Sequence, residues 1–377
     1  MWLCIGGGVG LIGGVVGAAF HIGVEQATEL RLAQPWIIWL LPVGGVVIVG
    51  LYRLAHMEGR GTNNIIESVH FGKDVPILLV PLIFISTCIT HLLGGSAGRE
   101  GAALQITLCG MSGVFAALFG TPLTATVFAL EVISVGVLYY AGLIPCLMAA
   151  SVAYLIASLF GVSPTRFAVT LPALDVWTVF LVVLLAIGCA LVSILFVRGM
   201  HWVEHMAVRF LKNSYLRAAA GGFAIIGLTL LLGRDYNGAG MDVIARAVEQ
   251  GEAAPWAWFL KILFTALTIG CGFKGGEVVP SFFVGATFGC VAGQALGLPG
   301  GFGAAIGLVA VFCGAVNCPI ASVLLSLELF GGTDGVLYFA FACAISYLLS
   351  GYCGLYSSQT ILYSKLRAEF INVHAKE

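Results

Sequence analysis

Gly94-Gly95-Ser96-Ala97-Gly98-Arg99-Glu100-Gly101-Ala102-Ala103-Leu104-Gln105-Ile106 sets an arginine beside a carboxylate, between two apolar runs. Upstream, residues 75–93 have only Thr, Ser and His as polar breaks; downstream, residues 102–119 carry no charge. An ionisable pair at membrane depth is costly, so it marks an ion or proton pathway; the plainer alternative is a loop-end pair at the membrane surface. Glycines 94, 95, 98 and 101 let the backbone break and approach a ligand closely. A residue just after such a break sits at a helix N-terminus, where unpaired N–H groups and the helix dipole attract anions. A carboxylate there can fill an anion site when ionised and leave it when protonated.

The composition sets the class. The 377 residues are 60% hydrophobic and 9% charged, whereas about a quarter of a soluble chain is charged. The chain therefore reads as an all-α polytopic membrane protein. A net charge of −1 speaks against nucleic acid as a partner. The 51 glycines allow membrane helices to pack closely or break. Eleven cysteines lie mostly in apolar runs, without a CxxC pair, and read as buried thiols. The opening Met-Trp-Leu-Cys-Ile-Gly has no basic region, so it reads as a first membrane helix and not as a signal peptide. Nothing calls for a cofactor or a metal, and no soluble domain is expected.

Apolar segments fall at about 1–24, 35–55, 75–93, 102–119, 122–140, 141–161, 176–198, 218–233, 255–273, 278–298, 301–316, 318–330 and 335–350. Several are shorter than the roughly 20 residues a crossing needs. Short, Gly-interrupted segments suggest helices that end inside the membrane and aim their termini at a site. The basic stretch 198–217 reads as a cytoplasmic loop, and the tail with Lys365, Arg367 and Lys376 shares its side. The turn 52–60, with two arginines, reads as inside, and the loop 25–31, acidic on balance, as outside.

The chain also repeats itself. Phe115, Pro122 and Glu131 recur at the same spacings as Phe312, Pro319 and Glu328. Each set follows a Gly-flanked glutamate, Glu100 in the first and Glu277 in the second. Two halves with matching broken segments are the sign of a repeat-built transporter whose site lies between them. The expected halves are residues 1–167 and 168–377. The first is shortened after Ile106: Glu277 to Pro319 covers 42 positions, but Glu100 to Pro122 only 22. The difference is about one membrane helix. The expectation is a preserved topology, with residues 102–119 unsupported, lower stability and a leaky pathway near Glu100.

These residues resemble the CLC chloride channels and anion/proton exchangers. Gly98-Arg99-Glu100-Gly101 with Leu104-Gln105-Ile106 looks like the gating-glutamate motif of that family. Residues 116–131 look like the helix that follows. Pro280, in Gly276-Glu277-Val278-Val279-Pro280, sits where the second anion motif ends, and Leu355-Tyr356-Ser357 resembles the start of the last helix, whose tyrosine contacts the central anion. Gly61-Thr62-Asn63-Asn64-Ile65, and the glutamate inside the second motif, look like the fluoride-exporting branch. That branch usually has Met where Thr62 stands and often Thr where Val279 stands. The proton-relay glutamate of chloride exchangers follows the position of Glu131, and here it is Val132. The family also has a further helical stretch after the gating motif that this chain lacks.

The resemblance implies a CLC-type inverted-topology repeat with broken helices, in the cell inner (cytoplasmic) membrane. It implies fluoride export in exchange for protons, with Glu100 and Glu277 handling protons and gating. Thr62, Asn63, Asn64, Gly98, Gly101, Val278, Val279 and Tyr356 would bind the anion. The implied partners are fluoride or chloride, protons, the bilayer and a second copy of the chain. Three alternatives stay open: Glu277 can instead pair with Lys274, Tyr356 can be an interfacial tyrosine, and residues 62–64 can be an ordinary helix cap. Glu131 and Glu328, matched in both halves, read as caps for helix N–H groups. The seven histidines read as surface residues. A chloride/proton exchanger or passive anion channel is the alternative function. An intramembrane enzyme, which would need a constellation such as H-E-x-x-H or G-x-S-x-G, carries little weight, and the chain is expected not to be an enzyme.

Overall fold

The computed structural model describes residues 2–58, 66, 76, 78–98, 108–367 and 369–376. The chain is mostly helical, in this order: α1 (Trp2–Ala33), a 3-10 turn (Pro35–Leu40) running into α2 (Leu41–Leu54), α3 (Leu79–Leu93), α4 (Leu108–Phe119), α5 (Pro122–Glu131), α6 (Leu143–Leu159), α7 (Val176–Phe210), α8 (Ser214–Leu232), the short α9 (Met241–Ala245), α10 (Ala257–Gly270), α11 (Val278–Ala295), α12 (Gly300–Val316), α13 (Pro319–Phe330) and α14 (Val336–Leu349). Among the described residues, six helical segments are long and apolar enough to cross a membrane. Large apolar side chains also cover the outside; on α7 these include Phe180, Leu184, Leu191 and Leu195. A lipid-facing surface needs that composition.

Residues 116–131 are not the one helix expected but the end of α4 and the whole of α5, parted at Gly120 and Thr121; proline starts both short helices of the repeat. Pro122 and Pro319 occupy the first turns of α5 and α13, where a missing N–H costs nothing. Gly120 (φ +70°) and Asn317 (φ +60°) make the preceding left-handed turns. The two short helices pack on each other and exchange caps. Glu131, at the end of α5, accepts from the Ile320 and Ala321 N–H groups of α13 at 3.1 and 2.9 Å. Glu328, near the end of α13, accepts from the Leu123 and Thr124 N–H groups of α5 at 3.0 and 2.8 Å. Each carboxylate meets the positive end of the opposite helix. The matched glutamates are therefore caps, as their positions suggested.

Three expectations need correction. Residues 198–210 are not a loop: α7 continues to Phe210, and only residues 211–213 separate it from α8, whose start is capped by Asn213 Oδ1 accepting from the Tyr215 N–H at 3.0 Å. Residues 25–31 are likewise not a loop but the last turns of α1, which runs to Ala33. Charges at a helix end can reach the water without breaking the helix. Second, α4 is well supported. Residues 110–119 are all buried, wedged between α1 and α6. A Cβ on Gly17 of α1 would come within 2.6 Å of the Ala117 Cβ, so a small residue sets that approach. The unsupported-helix expectation fails for this part; residues 102–107 lie outside the described residues. Third, the C-terminal segment is a small sheet and not a helix. Strands β1 (Ser134–Val135), β2 (Thr360–Tyr363) and β3 (Phe370–His374) pair in that order, β1 parallel and β3 antiparallel to β2.

Helices α11 and α12 cross through facing glycines. A Cβ on Gly289 would lie 2.2 Å from the Gly303 carbonyl oxygen, and one on Gly307 would lie 2.2 Å from that of Gly285. The facing glycines let two backbones touch, the small-residue packing that stabilises helix pairs in lipid.

Candidate functional site: the joint between the two halves

Helix α3 ends at Gly94, in the left-handed region at φ +90°. The chain then makes a turn whose polar groups are tied to the second half. The Gly94 carbonyl accepts from Asn237 Nδ2 at 2.9 Å, and the Gly95 carbonyl from the Gly238 N–H at 3.1 Å. The Ser96 N–H donates to Thr268 Oγ1 at 2.9 Å, and the Ser96 and Thr265 hydroxyls lie 3.0 Å apart. Gly98 and Gly276 form a two-bond antiparallel bridge, 2.7 and 2.8 Å long. A Cβ on Gly275 would sit 2.2 Å from that of Ala97, so the two strands touch.

This bridge brings together the two Gly-flanked segments read from the sequence. Gly276 is followed by Glu277, the residue that precedes α11, and then by Val278 and Val279, both buried in its first turn. The positive end of α11 therefore lies beside the bridge. Gly98, Glu277, Val278 and Val279 are thus placed in one spot. Arg99, Glu100, Gly101, Thr62, Asn63 and Asn64 lie outside the described residues. Lys274 lies with its ammonium 4.8 Å over the Tyr52 ring, with Glu204 and Arg217 as its charged surroundings.

Tyr356 is buried, but on a separate loop and not at a helix start. Its neighbour Leu355 donates from its N–H to the Ala315 carbonyl at the end of α12, at 3.0 Å. The Gln359 amide donates to the Val132 and Val316 carbonyls at 2.7 and 3.0 Å. Asn317 Nδ2 donates to the Cys353 carbonyl and to Gln359 Oε1, both at 3.0 Å. Lys365 donates to Asn317 Oδ1, to the Tyr347 carbonyl at 2.9 Å and to the Ser350 hydroxyl at 3.1 Å. Phe282 of α11 and Phe312 of α12 meet with ring centroids 5.1 Å apart. Rings of Phe119 and Phe128 lie 5.9 Å from Phe282 and Phe312 respectively.

Sequence reading missed two residues here. Lys261 is 0% exposed, donating to the Tyr236 and Gly238 carbonyls at 3.2 and 2.6 Å. The one signal was a single charge inside the apolar run 256–270. His91, read as a surface residue, is also 0% exposed, with Nε2 3.3 Å from the Gly98 carbonyl. The string G-x-S-x-G does occur, as Gly94-Gly95-Ser96-Ala97-Gly98. Its serine hydroxyl faces Thr265, which is no base, so the geometry is not that of an activated nucleophile.

Comparison with known proteins agrees with this architecture. The sequence model of the family described as voltage gated chloride channel matches residues 44–108 and 105–351. The two matches overlap at residues 105–108. A chloride/fluoride channel protein of Pseudomonas syringae pv. tomato is 37% identical, over 97% of this chain and 87% of its own. A putative chloride channel protein of Ralstonia nicotianae is 23% identical over 92% of each. Among solved structures, a CLC-type fluoride/proton antiporter superposes with a TM-score of 0.91 at 28% identity, covering 95% of this chain and 97% of that one. A slow cyanobacterial chloride/proton antiporter gives 0.78 at 18% identity, covering 93% and 94%, a likeness of fold alone.

Proposed function

This chain belongs to the voltage gated chloride channel (CLC) family, and on that premise we propose that it exports fluoride in exchange for protons. It is a multi-pass membrane protein, and the family reading carries anion/proton exchange; fluoride is the finer step. The observation that supports the step most is the Gly98–Gly276 bridge. It sets a second glutamate, Glu277, at the head of α11, where chloride-type members have none. Val132, buried and apolar, stands where those members carry the relay glutamate. The first half, residues 1–167, and the second, 168–377, supply one of these segments each.

Glu100 alternates between filling the anion site and carrying a proton. Glu277 hands that proton on. Thr62, Asn63, Asn64, Gly98, Gly101, Val278, Val279 and Tyr356 surround the anion. Fluoride is small and strongly hydrated, so N–H and O–H donors must replace its shell. The protein works as a homodimer with one pathway per subunit, in the inner (cytoplasmic) membrane.

A chloride/proton exchanger or passive anion channel is the second reading. Thr62 favours it, since its hydroxyl resembles the serine of chloride-type members. Liposomes loaded with fluoride or with chloride decide between them. Fluoride efflux that accelerates as protons are supplied outside, with chloride efflux slow, supports the first reading. Faster chloride efflux, or efflux indifferent to pH, sinks it.

A further inference from the structure

We propose that a polar stripe on α10, formed by Lys261, Thr265 and Thr268, is the positioning device for the joint, with Thr268 as its key residue. The inference rests on the gate role given above to Glu100. The three residues sit at i, i+4 and i+7, so they share one helix face. All three are 0% exposed in an otherwise apolar helix. Buried polar groups are costly unless paired, and each of these is paired toward residues 94–98 or toward the turn that holds them.

Thr268 acts directly. Its hydroxyl donates to the Phe264 carbonyl at 2.7 Å, which fixes the direction of the O–H and leaves a lone pair for the Ser96 N–H. Thr265 holds the Ser96 hydroxyl one turn away. Lys261 acts at one remove: it fixes the carbonyls of Tyr236 and Gly238, while Asn237 and Gly238 bind the Gly94 and Gly95 carbonyls. One helix face of the second half therefore pins residues 94, 95 and 96 of the first. Two residues on, Gly98 pairs with Gly276, where the contact between Ala97 and Gly275 leaves no slack. The stripe touches no ion. It sets where the backbone stands immediately before both glutamates.

The test measures fluoride efflux, fluoride-driven proton movement and thermal unfolding on the full chain in liposomes or detergent. Thr268→Val keeps the side-chain shape and removes the acceptor; Thr268→Ser keeps the acceptor. Thr268→Val is expected to lose roughly tenfold in protons moved per fluoride, since about 1 Å of misplacement at a reacting group can cost a factor of about 100. Thr268→Ser is expected to keep the wild-type ratio. Lower thermal stability of Thr268→Val with an unchanged proton ratio means a merely structural residue and overturns the proposal. If Thr268→Val does not fold, Ser96→Ala, which removes only the hydroxyl pair, decides in the same assay: a reduced ratio supports the stripe and an unchanged ratio overturns it. Glu100→Gln separates the two levels. If it stays coupled, the gate reading and the stripe both fail; if it uncouples while Thr268→Val stays coupled, the stripe alone fails.

Discussion

Glu131→Ala should destabilise the protein without altering its coupling. Glu131 is 7% exposed and accepts from two N–H groups at the head of α13. Removing the carboxylate leaves both donors without an acceptor, at about 1–3 kcal/mol each, so about 2–6 kcal/mol together. Over 377 residues, an unfolding entropy of about 2.1 cal/mol/K per residue gives about 0.8 kcal/mol/K, so the midpoint should fall by roughly 3–8 °C. Glu328→Ala removes the reciprocal cap of the Leu123 and Thr124 N–H groups, and its loss should be of similar size. The assay is thermal unfolding of both variants in detergent, beside fluoride and proton flux per folded molecule. The reasoning is refuted if Glu131→Ala unfolds with the wild type yet moves fewer protons per fluoride. That result would make Glu131 a relay and not a cap.

The other expectations follow from packing and charge. Gly289→Val should abolish the folded peak in size-exclusion chromatography, because its Cβ meets the Gly303 carbonyl at 2.2 Å; Gly227→Ala on α8, with nothing within 4 Å, should leave it unchanged. Burial pushes the Lys365 ammonium, beyond the last membrane helix, down to about 8 from 10.5. Between those pH values the unfolded chain holds a proton that the folded chain has released, so stability should rise with pH, by up to about 3 kcal/mol; Lys365→Gln should flatten the rise in chemical unfolding. Cysteines introduced at Asn213 and Lys376 should both resist an impermeant reagent on intact cells, given the basic residues around them; labelling of either from outside refutes the shared cytoplasmic side.

What could be read from the sequence was what is local. Pro122 and Pro319 were legible as matched points of a repeat, and the glutamates nine residues on suggested caps; that proline, which fits a first helical turn, starts a new helix inside 116–131 was not read. That the caps are exchanged between halves depends on partners 189 and 205 positions apart, which no local pattern encodes. Non-local pairing also hid Lys261, whose carbonyl partners lie 25 and 23 positions before it. At Tyr356 the local pattern misled: Ser357, Ser358 and Gln359 resemble a helix cap, but pairing of β2 with β1 and the reach of Gln359 to Val132 win. At Arg198 the charge signal was read as a loop, because position along the sequence does not show that a helix has already left the bilayer.

Proton movement driven by a fluoride gradient tests the central claim most directly. Liposomes carrying the purified protein are loaded with fluoride, with no proton gradient and with the voltage clamped by a potassium ionophore. Fluoride exchange for protons requires that efflux draw protons inward, acidifying the lumen, and that Glu100→Gln let fluoride leave with no such signal. Fluoride efflux from the wild type with no proton uptake, or proton uptake of equal size in Glu100→Gln, contradicts the claim.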